Sequence, residues 1–154
     1  MLYVANIDDL AAPDVQALVA EHLAGMASAS PPGHVFAHAI ERLRRPDVTF
    51  WTVWSGDDLC GCVALQTLNA EAAELKSMRT RAAWQRRGVA QFALTTALDA
   101  ARARGHRRVY LETGTAPAFD AALRLYARNG FGPTGPFGSY HASSFNTFRV
   151  LNLV

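Results

Sequence analysis

One turn, between a predicted strand and a predicted long helix, constrains the fold of this chain more than any other feature. Residues 71–80 alternate as a strand does, and residues 88–104 carry apolar side chains at helical spacing. The turn that joins them contains the segment Gln85-Arg86-Arg87-Gly88-Val89-Ala90. A strand that leads directly into a long amphipathic helix predicts a layered fold, in which helices pack on the faces of a sheet.

The remaining segments show the same two periodicities. Further helices are predicted at residues 13–27, 34–44 and 117–128, and the prolines within Ser28–Gly33 are expected to separate the first two. Further strands are predicted at 2–7, 48–54, 59–67 and 108–113, with two more within 131–154. The predicted order is β-α-α-β-β-β-α-β-α-β-β, which indicates an α+β fold (an α/β sandwich) with a mixed sheet, in a single domain covering residues 1–154.

These periodicities also predict which side chains share a surface. On the strand at 71–80, the spacing of two predicts one face made of Glu74, Lys76, Met78 and Thr80. On the helix at 88–104, the spacing of three and four predicts a buried stripe made of Val89, Phe92, Ala93, Thr96, Ala97 and Ala100.

Composition excludes several classes of protein. Hydrophobic residues make up 50% of the 154 residues and charged residues 18%, which excludes a disordered chain. No apolar run reaches 18 residues and the first ten residues lack a basic stretch, so neither a membrane span nor a signal peptide is expected, and a cytoplasmic location follows. Cys60 and Cys62 are expected to be reduced core thiols, and no metal site is expected because no Cys and His cluster has ligand spacing.

The positive charge is concentrated around the turn. The net charge is only +2, but residues 79–108 contain eight arginines and one acidic residue, Asp99. Gly88 lets the backbone approach a ligand closely, and the first N–H groups of the following helix, with Arg86 and Arg87, could bind a pyrophosphate. The same segment is also compatible with an ordinary helix start flanked by solvated arginines. Nucleic-acid binding is disfavoured because the arginines do not form a long stripe with stacking aromatic residues.

Two motifs resemble the GNAT acetyltransferase superfamily. Gln85–Ala90 resembles the family's Q/R-x-x-G-x-G/A motif, which binds the pyrophosphate of acetyl-CoA, and Ala122–Phe131 resembles its A-x-x-L-Y-x-x-x-G-F segment. The order and spacing of the motifs and the order of the elements also match, so the resemblance covers nearly the whole chain. The strings at 76–80, 111–114 and 135–138 most resemble the bacterial YsnE-type branch. The resemblance implies the acyl-CoA N-acyltransferase fold, with a mostly antiparallel mixed sheet, and N-acetyltransferase activity with acetyl-CoA as co-substrate.

The resemblance implies a cofactor site that begins on the strand before the turn. The main chain of residues 86–90 would hold the pyrophosphate, and Met78 and Thr80 would pair with the pantetheine as an added strand. Phe119 stands where the family often has an asparagine that contacts pantetheine, so we expect it to cover the pantetheine by packing, with one hydrogen bond missing. The implied cofactor residues are Met78, Thr80, Gln85, Arg86, Arg87, Gly88, Val89, Ala90 and Phe119.

The resemblance also implies catalytic residues. Tyr126 occupies the position of the tyrosine that protonates the departing CoA thiolate, a role that suits a phenol O–H donor. Glu74 lies where some members of the family keep a strand glutamate that deprotonates the amine through water. An ion pair between Glu74 and Lys76 is the alternative. Glu112, at the end of the next strand, is the competing base or an anchor for the substrate amine.

The acceptor is expected to be a primary amine of a small molecule, which would attack acetyl-CoA directly in a ternary complex. One wall of its site is expected from the loop that contains Pro32 and His34, and the other from the last hairpin, around Tyr140. A non-catalytic acyl-CoA-binding sensor or interaction module of the same fold is the alternative. The hydrophobic content of so small a chain is also compatible with a homodimer.

Overall fold

A computed structural model describes residues 2–24 and 32–153, with the side chains of residues 32–37 left out. Within these residues the chain forms seven strands and four α-helices in the predicted order. The strands are β1 (Val4–Ile7), β2 (Val48–Ser55), β3 (Asp58–Thr67), β4 (Ala72–Thr80), β5 (Arg108–Gly114), β6 (Gly132–Thr134) and β7 (Asn146–Asn152). The helices are α1 (Pro13–Ala24), α2 (Pro32–Leu43), α3 (Val89–Ala103) and α4 (Asp120–Arg128), and 3₁₀ turns at Ala82–Trp84 and Pro117–Phe119 precede α3 and α4.

The strands form one sheet in the order β1-β2-β3-β4-β5-β7-β6. Every neighbouring pair is antiparallel except β4 and β5, which are parallel, so the predicted mixed and mostly antiparallel sheet is confirmed. The parallel pair is short, because only residues 72–74 of β4 pair with residues 108–110 of β5. Beyond Glu74 the two strands no longer pair, and we refer to this interruption in the pairing as the opening between β4 and β5.

The helices cover both faces of the sheet. Helices α3 and α4 pack with one hydrophobic cluster, and α1 and α2 pack with another on the opposite face. The buried side chains of α3 are Val89, Ala93, Leu94, Ala97, Leu98 and Ala101. The predicted stripe was therefore wrong at Phe92, Thr96 and Ala100, which are only partly buried. The helix is turned so that Leu94 and Leu98 face the core, while Phe92 and Ala100 pack against the same cluster and stay partly exposed.

Because β4 contains a β-bulge, the side chains beyond it lie on the opposite face of the sheet from the one that regular alternation predicts. Ser77 has a φ of +54°, and the pairing between β3 and β4 shifts register there. Glu74 and Lys76 lie on the α1–α2 face, whereas Met78 packs against the cluster on the α3–α4 face. The prediction of one shared face was wrong because an extra residue in a strand inverts the alternation beyond it.

Gly61 allows the start of α3 to lie close to the sheet. A Cβ at this position would come within 2.6 Å of the carbonyl oxygen of Arg79 and 2.9 Å of a methyl group of Val89. Because Val89 is the first residue of α3, this close approach fixes where the turn after β4 meets the sheet.

Cys60 and Cys62 are free and buried, as expected for core thiols. Among the described residues, no group of His, Cys, Asp and Glu side chains is arranged to hold a metal ion. Within the same part of the chain, every helix is too short or too polar to cross a membrane.

Candidate active site

The backbone of the β4–α3 turn, residues 81–88, opens toward solvent. Arg86 and Gly88 have φ angles of +63° and +85°, both in the left-handed region. The first intrahelical hydrogen bond of α3 runs from the N–H of Phe92 to the carbonyl of Gly88, so the preceding N–H groups of the first turn have no helical acceptor. Gly88 has open space where a side chain would be. The turn therefore presents unpaired donors at the positive end of a helix, an arrangement that binds anions.

Aromatic residues pack against this turn. The guanidinium of Arg87 lies over the ring of Trp84, 5.0 Å from its centroid. The hydroxyl of Tyr3 donates a 2.6 Å hydrogen bond to the carbonyl of Arg87, and its ring contacts Trp84 and Phe92. Sequence reasoning missed Tyr3, since no local pattern relates it to a turn more than eighty residues away.

Tyr126 is held in the core by the motif that surrounds it. Its side chain is 7% exposed, and its ring packs edge-on against Phe131 with the centroids 5.7 Å apart. The N–H groups of Asn129 and Phe131 both bond to the carbonyl of Tyr126, and Gly130 supplies the left-handed turn between them. Burial raises the pKa of Tyr126 to about 12, so the phenol keeps its proton at neutral pH.

Glu74 is a buried carboxylate at the point where β4 and β5 diverge. It is the last residue of β4 that pairs with β5, opposite Tyr110, and it is 4% exposed. Its carboxylate accepts a 2.5 Å hydrogen bond from the hydroxyl of Tyr140. Burial raises the pKa of Glu74, and the hydrogen bond and the charge of Lys76 oppose this effect. The amine of Lys76 donates to Gln66 at 3.0 Å, and among the described residues no ion pair within 4.0 Å joins Lys76 to Glu74, although the charge of Lys76 still acts on this carboxylate.

Glu112 lies on the same face of the sheet as Glu74. It is two residues further along β5 than Tyr110, the residue that pairs with Glu74. One of its carboxylate oxygens accepts a 3.2 Å hydrogen bond from the side-chain amide of Asn146. The negative charge of Glu112 also contributes to the raised pKa of Glu74. The opening is thus lined by two carboxylates that influence each other.

Four aromatic rings form one group beside Glu74, which accepts a hydrogen bond from one of them. Their centroids are 5.0 to 6.0 Å apart in neighbouring pairs, and the rings belong to Tyr110, Phe137, Tyr140 and Phe148. The structure therefore places the predicted Tyr140 beside Glu74. Sequence reasoning missed Tyr110 and Phe148 as members of this group. The pairing of β5 with β7, which aligns Glu112 with Phe148, is what brings the strand residues together.

The structure describes the side chain of Phe119 but not those of Pro32 and His34. Phe119 packs directly on Gly114 at the end of β5, where any side chain on the glycine would overlap the phenyl ring. Phe119 therefore lies beside the end of β5, and its contact with pantetheine stays a prediction. Pro32 and His34 lie in the first turn of α2, and their side chains are outside the described part of the structure.

Residues 15–131 match the model of the acetyltransferase (GNAT) family. The chain is 43% identical over 152 residues to the uncharacterized N-acetyltransferase YedL of Escherichia coli, a match that covers 99% of this chain and 96% of that protein. It is 42% identical over 148 residues to the uncharacterized N-acetyltransferase YsnE of Bacillus subtilis, with 96% and 98% covered. A GNAT family acetyltransferase from Elizabethkingia anophelis, solved with acetyl-CoA bound, has the same fold at 15% identity, with a TM-score of 0.72 and 97% of each chain covered. The chain therefore belongs to the GNAT family of N-acetyltransferases.

Proposed function

We propose that this protein transfers the acetyl group of acetyl-CoA to a primary amine of a small molecule by direct attack in a ternary complex. The observation that carries the proposal is the divergence of β4 and β5 beyond Glu74. It leaves the facing edges of the two strands without partners, between an anion-binding turn at one end and a buried carboxylate at the other. A thioester that carries a pyrophosphate fits this arrangement.

The cofactor side of the opening is the edge of β4 and the turn that follows it. The pyrophosphate would accept hydrogen bonds from the free N–H groups of residues 88–90, and Arg86 and Arg87 would add positive charge. Gln85 is the first residue of the motif and lies in the same turn. The pantetheine would extend the sheet along Met78 and Thr80, as a peptide does when it adds to an unpaired strand edge.

The amine side is the carboxylate pair and its aromatic wall. An amine is protonated at neutral pH and must lose a proton before it can attack, and Glu74 would take that proton through a water molecule. Because burial raises its pKa, Glu74 is a stronger base than a surface glutamate. Glu112 would hold the ammonium group of the incoming substrate, and Tyr140 would fix the orientation of the Glu74 carboxylate.

The chemical step forms a C–N bond and breaks the C–S bond of the thioester. The neutral amine attacks the carbonyl carbon, and the nitrogen of the tetrahedral intermediate loses its second proton to water as the intermediate expels the CoA thiolate. Glu74 would then release the proton it took from the amine to solvent. Tyr126 would give its phenolic proton to that sulfur and be reprotonated from solvent. The products are an N-acetylated amine and free CoA.

Release of free CoA thiol from acetyl-CoA, measured across a broad panel of primary amines, tests this function. We expect turnover with at least one amine class, together with a rise in melting temperature when acetyl-CoA is added. A rise in melting temperature with no thiol release from any amine would instead support the acyl-CoA-binding module. The absence of any stabilisation at saturating acetyl-CoA would contradict both functions.

A further inference from the structure

We propose that Tyr3 is a positioning residue for the pyrophosphate site: by holding the carbonyl of Arg87, it aims the N–H of Gly88 at the bound anion. This inference rests on the proposed function, since it assigns a role at the same site. Tyr3 lies just before β1, the edge strand of the sheet, and its hydroxyl reaches the β4–α3 turn with a 2.6 Å hydrogen bond.

The geometry of the peptide bond explains how one hydrogen bond can orient a donor. The carbonyl of Arg87 and the N–H of Gly88 belong to the same planar trans peptide, so they point in opposite directions. While the carbonyl accepts the hydrogen bond of Tyr3, the N–H of Gly88 must point away from Tyr3. Gly88 has no side chain to restrict rotation of this peptide, and its φ is +85°. Without the hydrogen bond, the peptide can turn and present its carbonyl oxygen, which repels an anion.

The ring of Tyr3 holds its hydroxyl in place. It lies 6.4 Å from the ring of Trp84 in an edge-on arrangement and 5.7 Å from the ring of Phe92. Trp84 in turn carries the guanidinium of Arg87 on its face. The ring contacts do not need the hydroxyl, so Tyr3→Phe removes the hydrogen bond and preserves the aromatic packing. This separation of the two roles makes the proposal testable.

The test compares two acyl donors, acetyl-CoA and S-acetylpantetheine, which has the same thioester and pantetheine but lacks the pyrophosphate and the adenosine 3′-phosphate beyond it. Calorimetric titration gives both dissociation constants without the need for an acceptor amine. We expect Tyr3→Phe to weaken acetyl-CoA binding about three- to tenfold, the range for one lost hydrogen bond, and to leave S-acetylpantetheine binding unchanged. Leu2→Ala is the matched control, because Leu2 adjoins Tyr3 and is 82% exposed, and it is expected to change neither constant.

Three other outcomes would each contradict the proposal, and the two binding constants distinguish them. Equal weakening of both donors by Tyr3→Phe would show a general structural role for the hydroxyl, and unchanged acetyl-CoA binding would show no role. If the unaltered protein itself binds the two donors equally, the turn does not bind pyrophosphate, and the proposed cofactor site fails before any variant is made.

Discussion

The hydroxyl of Tyr140 donates a 2.5 Å hydrogen bond to the carboxylate of Glu74, which lies 66 residues earlier in the chain. The bond joins the loop between β6 and β7 to the last residue of β4 that pairs with β5. It favours the ionised carboxylate and lowers the pKa of Glu74, against the larger effect of burial. The basicity of Glu74 therefore depends on a distant loop as well as on its own strand.

Removal of this hydrogen bond is expected to change the pH dependence of the reaction. In Tyr140→Phe the ionised form of Glu74 loses a donor, so its pKa rises further. A base acts only when it is deprotonated, and the acidic limb of the kcat/KM profile should therefore move to higher pH. Tyr110→Phe, which removes a hydroxyl from the same aromatic group, is the control and should leave the limb in place. An acidic limb that stays in place in Tyr140→Phe would contradict the assignment of Glu74 as the base.

The two carboxylates are expected to differ in the kinetic constant that they control. If Glu74 is the base, Glu74→Gln should lower kcat by roughly 10²–10⁴-fold, with acetyl-CoA binding retained. Glu112→Gln removes the anchor and should raise the KM of the amine more than it lowers kcat. Steady-state kinetics with the best amine from the panel distinguish the two. The reverse pattern would make Glu112 the base.

The buried Glu74 should also reduce stability at neutral pH. Its pKa in the folded protein lies above the usual value of 4.5, so its contribution to the free energy of unfolding is fully present below pH 4.5 and is lost as the pH rises through the folded pKa. Glutamine does not ionise, so the Glu74→Gln protein does not lose this contribution as the pH rises. Its melting temperature should exceed that of the unaltered protein near pH 8, and the difference should shrink toward pH 4. A difference that grows toward low pH would contradict the raised pKa.

Tyr126→Phe should separate catalysis from binding. The ring packs against Phe131 and would keep that contact, so the melting temperature should change little. The leaving thiolate would lose its proton donor, and kcat should fall by roughly 10²-fold or more while the dissociation constant of acetyl-CoA stays nearly constant. Unchanged turnover would remove Tyr126 as the general acid.

Gly88→Ala tests the backbone conformation of the turn. Space is available for the added methyl group, but a φ of +85° is unfavourable for alanine, so we expect a loss of about 1–2 kcal/mol in the free energy of unfolding. Acetyl-CoA should also bind more weakly, because any relaxation moves the N–H groups at the start of α3. Gly132→Ala is the control, since Gly132 also has open space and has no left-handed φ. Equal effects of the two substitutions would contradict a special role for the turn.

The parts of the site that are local in sequence could be predicted from it. The turn at Gln85–Ala90 and the segment around Tyr126 each depend on a glycine, a helix end and a few neighbouring residues, and all of these are visible in the chain. Their positions agree with the predicted strand and helix within a few residues. The resemblance also made Glu74 a candidate base, although the burial and the hydrogen bond that adjust its pKa needed the structure.

The contacts that the sequence could not predict depend on register and on distant loops. Ser77 is not a residue type that favours a left-handed φ, so nothing in the sequence indicates the bulge that moves Met78 to the other face of β4. Tyr3 reaches its turn from just before β1, which lies three strands away from β4 in the sheet, and Phe148 joins the aromatic group through the pairing of β7 with β5. Each of these contacts requires the order of the strands, which single-sequence periodicity does not contain.

The divergence of β4 and β5 also explains how the fold can carry a binding cleft at little energetic cost. The residues of β4 beyond Leu75 are only partly buried, so water can satisfy their unpaired backbone groups before a ligand arrives. A cavity of the same size inside the core would forfeit packing instead. The interruption concerns the hydrogen bonding between two strands, and the two hydrophobic clusters on the faces of the sheet stay buried. Selection can therefore vary the residues that line the cleft without unpacking the core that supports it.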